Sequence, residues 1–263
     1  MKLLVDADYI VYKSCAGAET DIDWGDDVIM VVSKFSEAMT NVQRELSKIE
    51  QQFLWDTPEM VLFFSDSKNF RKKIYPDYKG HRNRKKPCGY KRVIRALGLT
   101  YEVIVMETLE ADDAIGIFAT ANPGNVVVSP DKDMKQIPGK LYDLKEHHDI
   151  TPLDGHKWHW IQTLAGDQTD GYSGVPGYGV KTAAKLFDTN GYVWEEILGA
   201  FESKGLTRDD ALLNARLAKI LQASDYDFTN KRPIAWVPAA TDYRNYNGAG
   251  VYTHEDGELT EGS

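Results

Sequence analysis

The chain has 263 residues, 42% of them apolar, and a formal net charge of −9 at pH 7, enough to bury one sizeable α/β core with a smaller appendage. Its two cysteines, Cys15 and Cys88, have no metal-ligand spacing and read as reduced thiols of a cytoplasmic protein, which excludes a disulfide-framed secreted domain. The N-terminal apolar run carries aspartates, so it is neither a signal peptide nor a membrane span, and no later stretch is long and apolar enough to cross a bilayer.

In chain order, "KLLVDA" (2–7) predicts a buried strand ending at an aspartate. Residues 28–54 show helical apolar spacing through Val28, Val31, Val32, Phe35, Met39, Val42, Leu46 and Ile49. "EMVLFFSD" (59–66) predicts a second buried strand, again ending at an aspartate. Residues 68–92 then hold eleven Lys or Arg and one acid, Asp77, with Phe70, Tyr75, Tyr78 and Tyr90 interleaved. Pro76 and Pro87 limit this segment to two short helices with breaks. Arg71, Lys72 and Lys85 are its candidate DNA contacts. The net charge is therefore segregated, and the acidic total does not exclude a nucleic-acid partner.

"YEVIVM" (101–106) predicts a third strand, "LEADDAIGIFATA" (109–121) a helix with acids in its first turn, and "NVVVSPDKD" (125–133) a fourth strand. Short strands are expected over 140–151, a helix over 154–165, and helices again to about 223. The alternation implies a mainly parallel sheet with helices on both faces. The expected organisation is an α/β core over 1–152, a helical subdomain over 153–238 and a polar tail over 239–263. The acidic stretch "TDIDWGDD" (20–27) has no place in this plan.

Ligands of such sheets bind outside the carboxyl ends of the strands. There the sequence collects Asp6, Asp8, Asp66, Glu110, Asp112, Asp113, Asp131 and Asp133, with Asp167 and Asp170 further on. A lone aspartate at a strand end is ordinarily a turn or helix cap. Acids in every rim segment are harder to ascribe to capping, because two carboxylates ~4 Å apart repel by roughly 4 kcal/mol at an effective dielectric near 20. An all-oxygen set without His or Cys suits Mg²⁺ or Mn²⁺. The number of acids suits two ions, as in two-metal phosphoryl chemistry. "DKD" is not a calcium loop, since Lys135 stands where an EF-hand needs Asp or Asn.

"GVPGYGVKTAAKLF" (174–187) fits a helix–hairpin–helix. Gly177 and Gly179 can take positive φ, the turn exposes backbone N–H groups at a helix start, and Lys181 and Lys185 add charge for a phosphate. It is not a Walker loop. Asp167 and Asp170 immediately before it repel phosphate. A long nucleic acid reconciles the two, with carboxylates at one phosphate and the hairpin on another.

The motifs "LLVDAD", "FSDSKNFRK", "YPDYKGHR", "LEADD", "SPDKD" and "GDQTDGYSGVPGYGVKTA" together resemble the flap-endonuclease/5′-nuclease superfamily over about residues 1–237. Within it the chain is similar to the 5′→3′ exonucleases of short-tailed (podovirus) phages. The resemblance implies a resolvase-like sheet with a helical arch over 68–92 and hydrolysis of DNA from 5′ ends by two divalent ions. It assigns one metal cluster to Asp6, Asp66, Glu110 and Asp112, and a second to Asp131, Asp133, Asp167 and Asp170. Asp8 and Asp113 would stand behind these ligands. Lys79 and Arg82 would reach the scissile phosphate, and Tyr78 would stack on the terminal base. A K⁺ at the hairpin, removal of RNA from hybrids, a monomer in the bacterial host cytoplasm and a part in phage DNA replication, recombination or degradation are also implied.

Two other classes compete. A non-catalytic DNA-binding protein would not need the full carboxylate set. A PIN-type ribonuclease would be shorter, carry fewer acids and lack the hairpin.

Overall fold

The apolar runs KLLVD, EMVLF and VVV alternate their side chains between two cores, the pattern of strands covered on both faces. A computed structural model describes residues 1–53, 58–82 and 85–238. Met1–Gly155 with Ile220–Ile234 form one unit, and His156–Lys219 with the segment from Ala235 form another. In chain order the first unit contains β1 (Lys2–Asp6), α1 (Ala7–Ala16), β2 (Glu19–Asp23), β3 (Ile29–Ser33), α2 (Phe35–Gln51), β4 (Glu59–Phe63), α3 (Arg71–Ile74), α4 (Tyr90–Leu97), β5 (Glu102–Ile104), α5 (Ala111–Ala121), β6 (Val126–Val128), a 3₁₀ turn (Lys132–Gln136), β7 (Gly139–Tyr142) and β8 (His147–Ile150).

The sheet order is β5-β4-β1-β6-β7-β8, parallel except for β8. On one face Leu3 and Val5 of β1 meet Val42 and Leu46 of α2 and Val93 and Leu97 of α4. On the other, Leu4 meets Ala114 and Ile115 of α5. The chain leaves β1 towards β4 and later returns to its opposite side as β6. The ends of β1 and β6 therefore flank the switch point where such sheets bind ligands.

The helix expected from residue 28 begins instead at Phe35. Residues 29–33 form β3, paired antiparallel with β2 from Asp23↔Ile29 to Glu19↔Ser33. The run Ile-Met-Val-Val-Ser is mostly β-branched and favours a strand. Val28, Val31 and Val32 fit helical spacing by position yet stand exposed on this hairpin. The unplaced acidic stretch is its first strand and turn. The predicted fourth strand ends at Val128, since Pro130 stops it, and Asp131 caps the 3₁₀ turn by accepting from the Asp133 N–H at 2.9 Å.

The first unit runs to Gly155, and the chain rejoins it at Ile220. Ile220 N–H donates to Gln136 Oε1 at 3.0 Å and Leu221 N–H to Asp113 Oδ1 at 3.1 Å. Leu221 lies so near α5 that a Cβ at Gly116 would stand 2.3 Å from its carbonyl oxygen, which only glycine permits. The polar tail expected over 239–263 lies outside the described residues.

The chain continues through α6 (Pro152–Ala165), a short hairpin of β9 (Gly166–Asp167) and β10 (Tyr172–Ser173), then α7 (Val180–Asn190), α8 (Trp194–Glu202) and α9 (Arg208–Ala218), before β11 (Tyr226–Asp227) and β12 (Arg232–Pro233). Trp160, Leu164, Phe187, Ile197, Phe201 and Ala215 form the core of the second unit. No helix among the described residues is long and apolar enough to cross a membrane.

Candidate active site

β1 ends at Asp6, whose carboxylate is buried and accepts from Ser129 Oγ–H at 3.0 Å. Burial first, then the neighbouring charges of Asp8 and Asp131, push its pKa up to about 6. Asp112, in the first turn of α5, is pushed well above the usual carboxylate range by burial and then by Asp6, Asp131 and Glu110. Asp131 follows β6, its backbone N–H held on Ser129 Oγ at 3.2 Å. Asp6, Asp131, Tyr9, Pro130 and Lys132 line a cavity of about 490 Å³. Asp131 lies near enough to both Asp6 and Asp112 for its charge to act on each.

The neighbouring acids are compensated. Arg71 is 3% exposed and clasps Asp113 with both terminal nitrogens, Nη1 to Oδ2 at 2.6 Å and Nη2 to Oδ1 at 2.8 Å. Its Nη1 also lies 3.4 Å from Glu110 Oε2. Glu110 further accepts from the Tyr78 hydroxyl at 2.9 Å and from Lys79 Nζ. Burial alone would raise the Glu110 pKa, but Lys79 and Arg71 outweigh it and hold the group down at about 2. Asp66 accepts from Thr108 N–H at 2.8 Å and Ser67 N–H at 2.6 Å, and these bonds, with Thr108 foremost, lower its pKa.

Two assignments are corrected here. Arg71, expected on DNA, is buried and committed to Asp113. Tyr78, expected to stack on a base, is 2% exposed, with its hydroxyl on Glu110 and with Lys79 Nζ 5.1 Å from its ring centroid. Sequence places both in a basic, aromatic-rich run, where a buried and an exposed cation look alike. Lys72, Lys85 and Arg82 are exposed, and Lys79 is half-buried with φ of 53°. Asp8 accepts from Ser65 N–H at 2.8 Å and from the Tyr90 hydroxyl, and lies 3.6 Å from Lys86 Nζ. Tyr90, Ser129, Tyr9 and Lys132 are site residues that the sequence reading missed. Tyr9 lies three residues after Asp6, directly behind the quoted motif "LLVDAD".

Asp133, also in the first unit, is half-buried and lies 3.0 Å from Lys132 Nζ. In the second unit, Asp167 accepts from Thr169 N–H at 2.7 Å and Asp170 N–H at 3.2 Å, and so closes its own turn. Asp170 is half-buried. Gly177 takes φ of 88°, as a tight turn needs, but Gly179 does not. Gly179 is the extended N-cap of α7 at φ −83°, with open space around a built Cβ, so its backbone is one any residue adopts. Lys181 and Lys185 are exposed on α7.

Among the described residues, no three His, Cys, Asp or Glu side chains close on a point as metal ligands. The donor chemistry nevertheless fits a hard divalent cation. Asp6, Asp112 and Asp131 are oxygen donors; burial and neighbouring acids raise Asp6 and Asp112, which a cation would relieve, and their neighbour Glu110 is held ionised.

Residues 1–153 match the family described as 5′-3′ exonuclease, N-terminal resolvase-like domain. The exodeoxyribonuclease of Enterobacteria phage T3 is 28% identical over 280 residues, covering 90% of this chain and 92% of that protein. The exonuclease of Escherichia phage T7 is 28% identical over 282 residues, covering 90% and 93%. In fold, the chain is similar to the T5 D15 protein co-crystallized with metal ions, at a TM-score of 0.62 and 13% identity, covering 83% of this chain and 89% of that one.

Proposed function

This chain belongs to the 5′-3′ exonuclease family through its N-terminal resolvase-like domain, and from that premise we propose how its residues serve the activity. It is a metal-dependent 5′→3′ exonuclease. Its substrate is DNA, taken from the 5′ ends of duplexes or from flaps, with RNA in a hybrid as a further substrate, and it acts as a monomer. The observation that carries the reading is the pair of acids Asp6 and Asp112, buried beside Asp131 at the switch point of the sheet and raised by burial and by neighbouring carboxylates, next to a cation, Lys79, that already holds Glu110.

Asp6, Asp112, Asp131 and Glu110 are the residues that would hold a divalent ion, Mg²⁺ or Mn²⁺. Asp66 and Asp133, and on sequence pattern alone Asp167 and Asp170, are the further carboxylates of a two-ion set. Ions held there would supply positive charge for phosphate oxygens and lower the pKa of water. The chain's own side chains do the rest. Thr108 and Ser67 amides fix the Asp66 carboxylate in its ionised form. Arg71 anchors Asp113 and so holds the first turn of α5, which bears Glu110 and Asp112. Lys79 sits in a left-handed backbone conformation that costs of order 1 kcal/mol and is tolerated where the surroundings enforce it. It exchanges Glu110 for the scissile phosphate and stabilises the charge developing there, with Arg82 on the same segment. Lys72, Lys85, Lys181 and Lys185 bind the duplex backbone, the last two with the Gly177 turn and a K⁺ at that hairpin.

The test is digestion of 5′-labelled duplex, flapped duplex and RNA, each with and without Mg²⁺. The expected result is ion-dependent release of 5′-phosphorylated products from DNA. Intact DNA with degraded RNA would contradict the reading.

A further inference from the structure

The acids at the rim sit on separate elements, and each element is tied to the next directly beside the acid it carries. Asp6 ends β1, and Asp8 follows it in the first turn of α1. Asp66 comes after β4, with Ser65 immediately before it. Glu110 is the N-cap of α5, with Ala111 and Asp112 next in the chain. Asp8 Oδ2 accepts from Ser65 N–H at 2.8 Å, and Ser65 Oγ accepts from Ala111 N–H at 3.0 Å. Ser65 therefore holds α1 through its backbone and α5 through its hydroxyl.

Tyr90 pins the outer end of this chain. Its hydroxyl donates to Asp8 Oδ1, and its buried ring lies in one core with Val93 and Leu97 of α4. Lys86 Nζ donates to Tyr90 Oη at 3.3 Å and lies 3.6 Å from Asp8 Oδ1. Both oxygens of Asp8 are thus engaged by protein groups, which makes this acid a link between elements. At the inner end, the Ala111 amide is one of the first N–H groups of a helix, which have no partner within the helix itself. Ser65 Oγ supplies that partner.

The geometry points to Ser65 and Tyr90 as positioning residues. The chain Tyr90–Asp8–Ser65–Ala111 sets the distances between Asp6, Asp66 and the turn bearing Glu110 and Asp112, and so the spacing at which those acids meet a divalent ion. Ser65 and Tyr90 act through the residues they hold. The inference rests on reading the acids as ligands of an ion in a site that cuts DNA. Removing a group that orients metal ligands typically costs about 10–100-fold in metal affinity or activity. Asp66 N–H, which donates to Leu109 O at 3.0 Å, braces the same gap in parallel. Loss of one link should therefore fall at the lower end of that range.

The experiment uses the full chain. Mg²⁺ binding is measured by calorimetry without DNA, duplex binding in EDTA, and single-turnover cleavage at saturating Mg²⁺ and DNA. Thermal melting of the metal-free protein is followed alongside. Ser65→Ala should weaken Mg²⁺ binding about 10-fold and slow cleavage by a similar factor, with duplex affinity unchanged. Ser65→Thr, which keeps the acceptor, should restore both. Tyr90→Phe keeps the ring and loses only the hydroxyl, and should shift Mg²⁺ binding in the same direction. The double variant Ser65→Ala/Tyr90→Phe should be no worse than the poorer single one, because both act through one chain. A lower melting temperature with unchanged Mg²⁺ binding in Ser65→Ala would mean a helix-start contact only and would overturn the proposal. Fully additive losses in the double variant would overturn it too, as would Ser65→Thr behaving like Ser65→Ala. If Ser65→Ala weakened Mg²⁺ binding while wild type cut no DNA, the exonuclease reading would fall and the positioning role would stand.

Discussion

The acids at the rim of the first unit fall into two groups that differ in how their charge is met. Asp66, Glu110 and Asp113 are compensated by backbone amides, by Lys79 and Tyr78, and by Arg71. Asp6 and Asp112 are buried beside acids, Asp112 next to Asp6 and both next to Asp131, and Asp6 has the Ser129 hydroxyl against it. The first group is paired before any ligand arrives. In the second, burying Asp6 and Asp112 beside Asp131 is an arrangement that folds at a cost, and it marks where a cation is wanted. Position at a strand end does not separate the groups; partners do.

The largest effect should come from breaking the compensated side. Arg71→Ala leaves Asp113 fully buried without its counter-ion, which costs about 3–5 kcal/mol. The urea midpoint should fall accordingly. A change within a few tenths of a kcal/mol would mean that the pair contributes nothing and that the distinction between the groups is false.

The uncompensated side should respond in the opposite sense. The folded pKa of Asp6, about 6, lies above its ordinary value of 3.8. The penalty for ionising it is therefore absent below about pH 4 and complete above pH 6. Asp6→Asn should stabilise the metal-free protein at pH 8 by up to about 3 kcal/mol, from about two pKa units at 1.36 kcal/mol each. The gain should vanish by pH 4. Equal melting of variant and wild type across this window would remove the strain assigned to Asp6.

The second unit supplies a control of opposite sign. Burial, and then Lys219, lower the pKa of His156 to about 3 and that of His159 well below its ordinary value; His159 Nε2–H donates to Ala215 O at 2.8 Å. Both are neutral in the fold, so their contribution is complete above pH 6.5 and is lost as pH falls below it. For His156 alone the loss reaches roughly 2 kcal/mol by pH 5. Tryptophan fluorescence, carried in this unit by Trp158, Trp160, Trp194 and Trp236, should report acid unfolding that His156→Gln delays. Identical acid midpoints for variant and wild type would refute it.

A smaller effect sharpens the comparison from within. Lys79→Ala turns Glu110 into a less compensated acid. It should lower metal-free stability by about 1 kcal/mol, since the pair is only partly buried. The same change should tighten Mg²⁺ binding measured by calorimetry while slowing cleavage. Weaker Mg²⁺ binding would show that Lys79 does not compete for Glu110.

The strands were legible because both-sided burial writes itself as unbroken apolar runs. Asp6 ends β1 and Asp131 follows β6, two strands that pair side by side. The β2–β3 hairpin was not legible, because Val28, Val31 and Val32 continue the helical spacing of α2 by coincidence and no buried face corrected it. Arg71 and Lys72 are adjacent cations in one run, and only tertiary packing buries the first and exposes the second. α3 has four residues, too few for a periodicity that would tell its faces apart. Gly177 and Gly179 look equivalent in a Gly-x-Gly turn, yet only the first needs glycine's backbone freedom.

The central claim is that Asp6, Asp112 and Asp131 form a cation site whose repulsion is relieved by the ion. Thermal melting of wild type and Asp112→Asn across a Mg²⁺ titration at pH 8 tests it most directly. Without ion, Asp112→Asn should melt above wild type. With Mg²⁺ at about 100 times its dissociation constant, wild type should gain about 2.7 kcal/mol and overtake a variant that gains little. A variant that melts no higher than wild type without ion, and rises as much with it, would contradict the account.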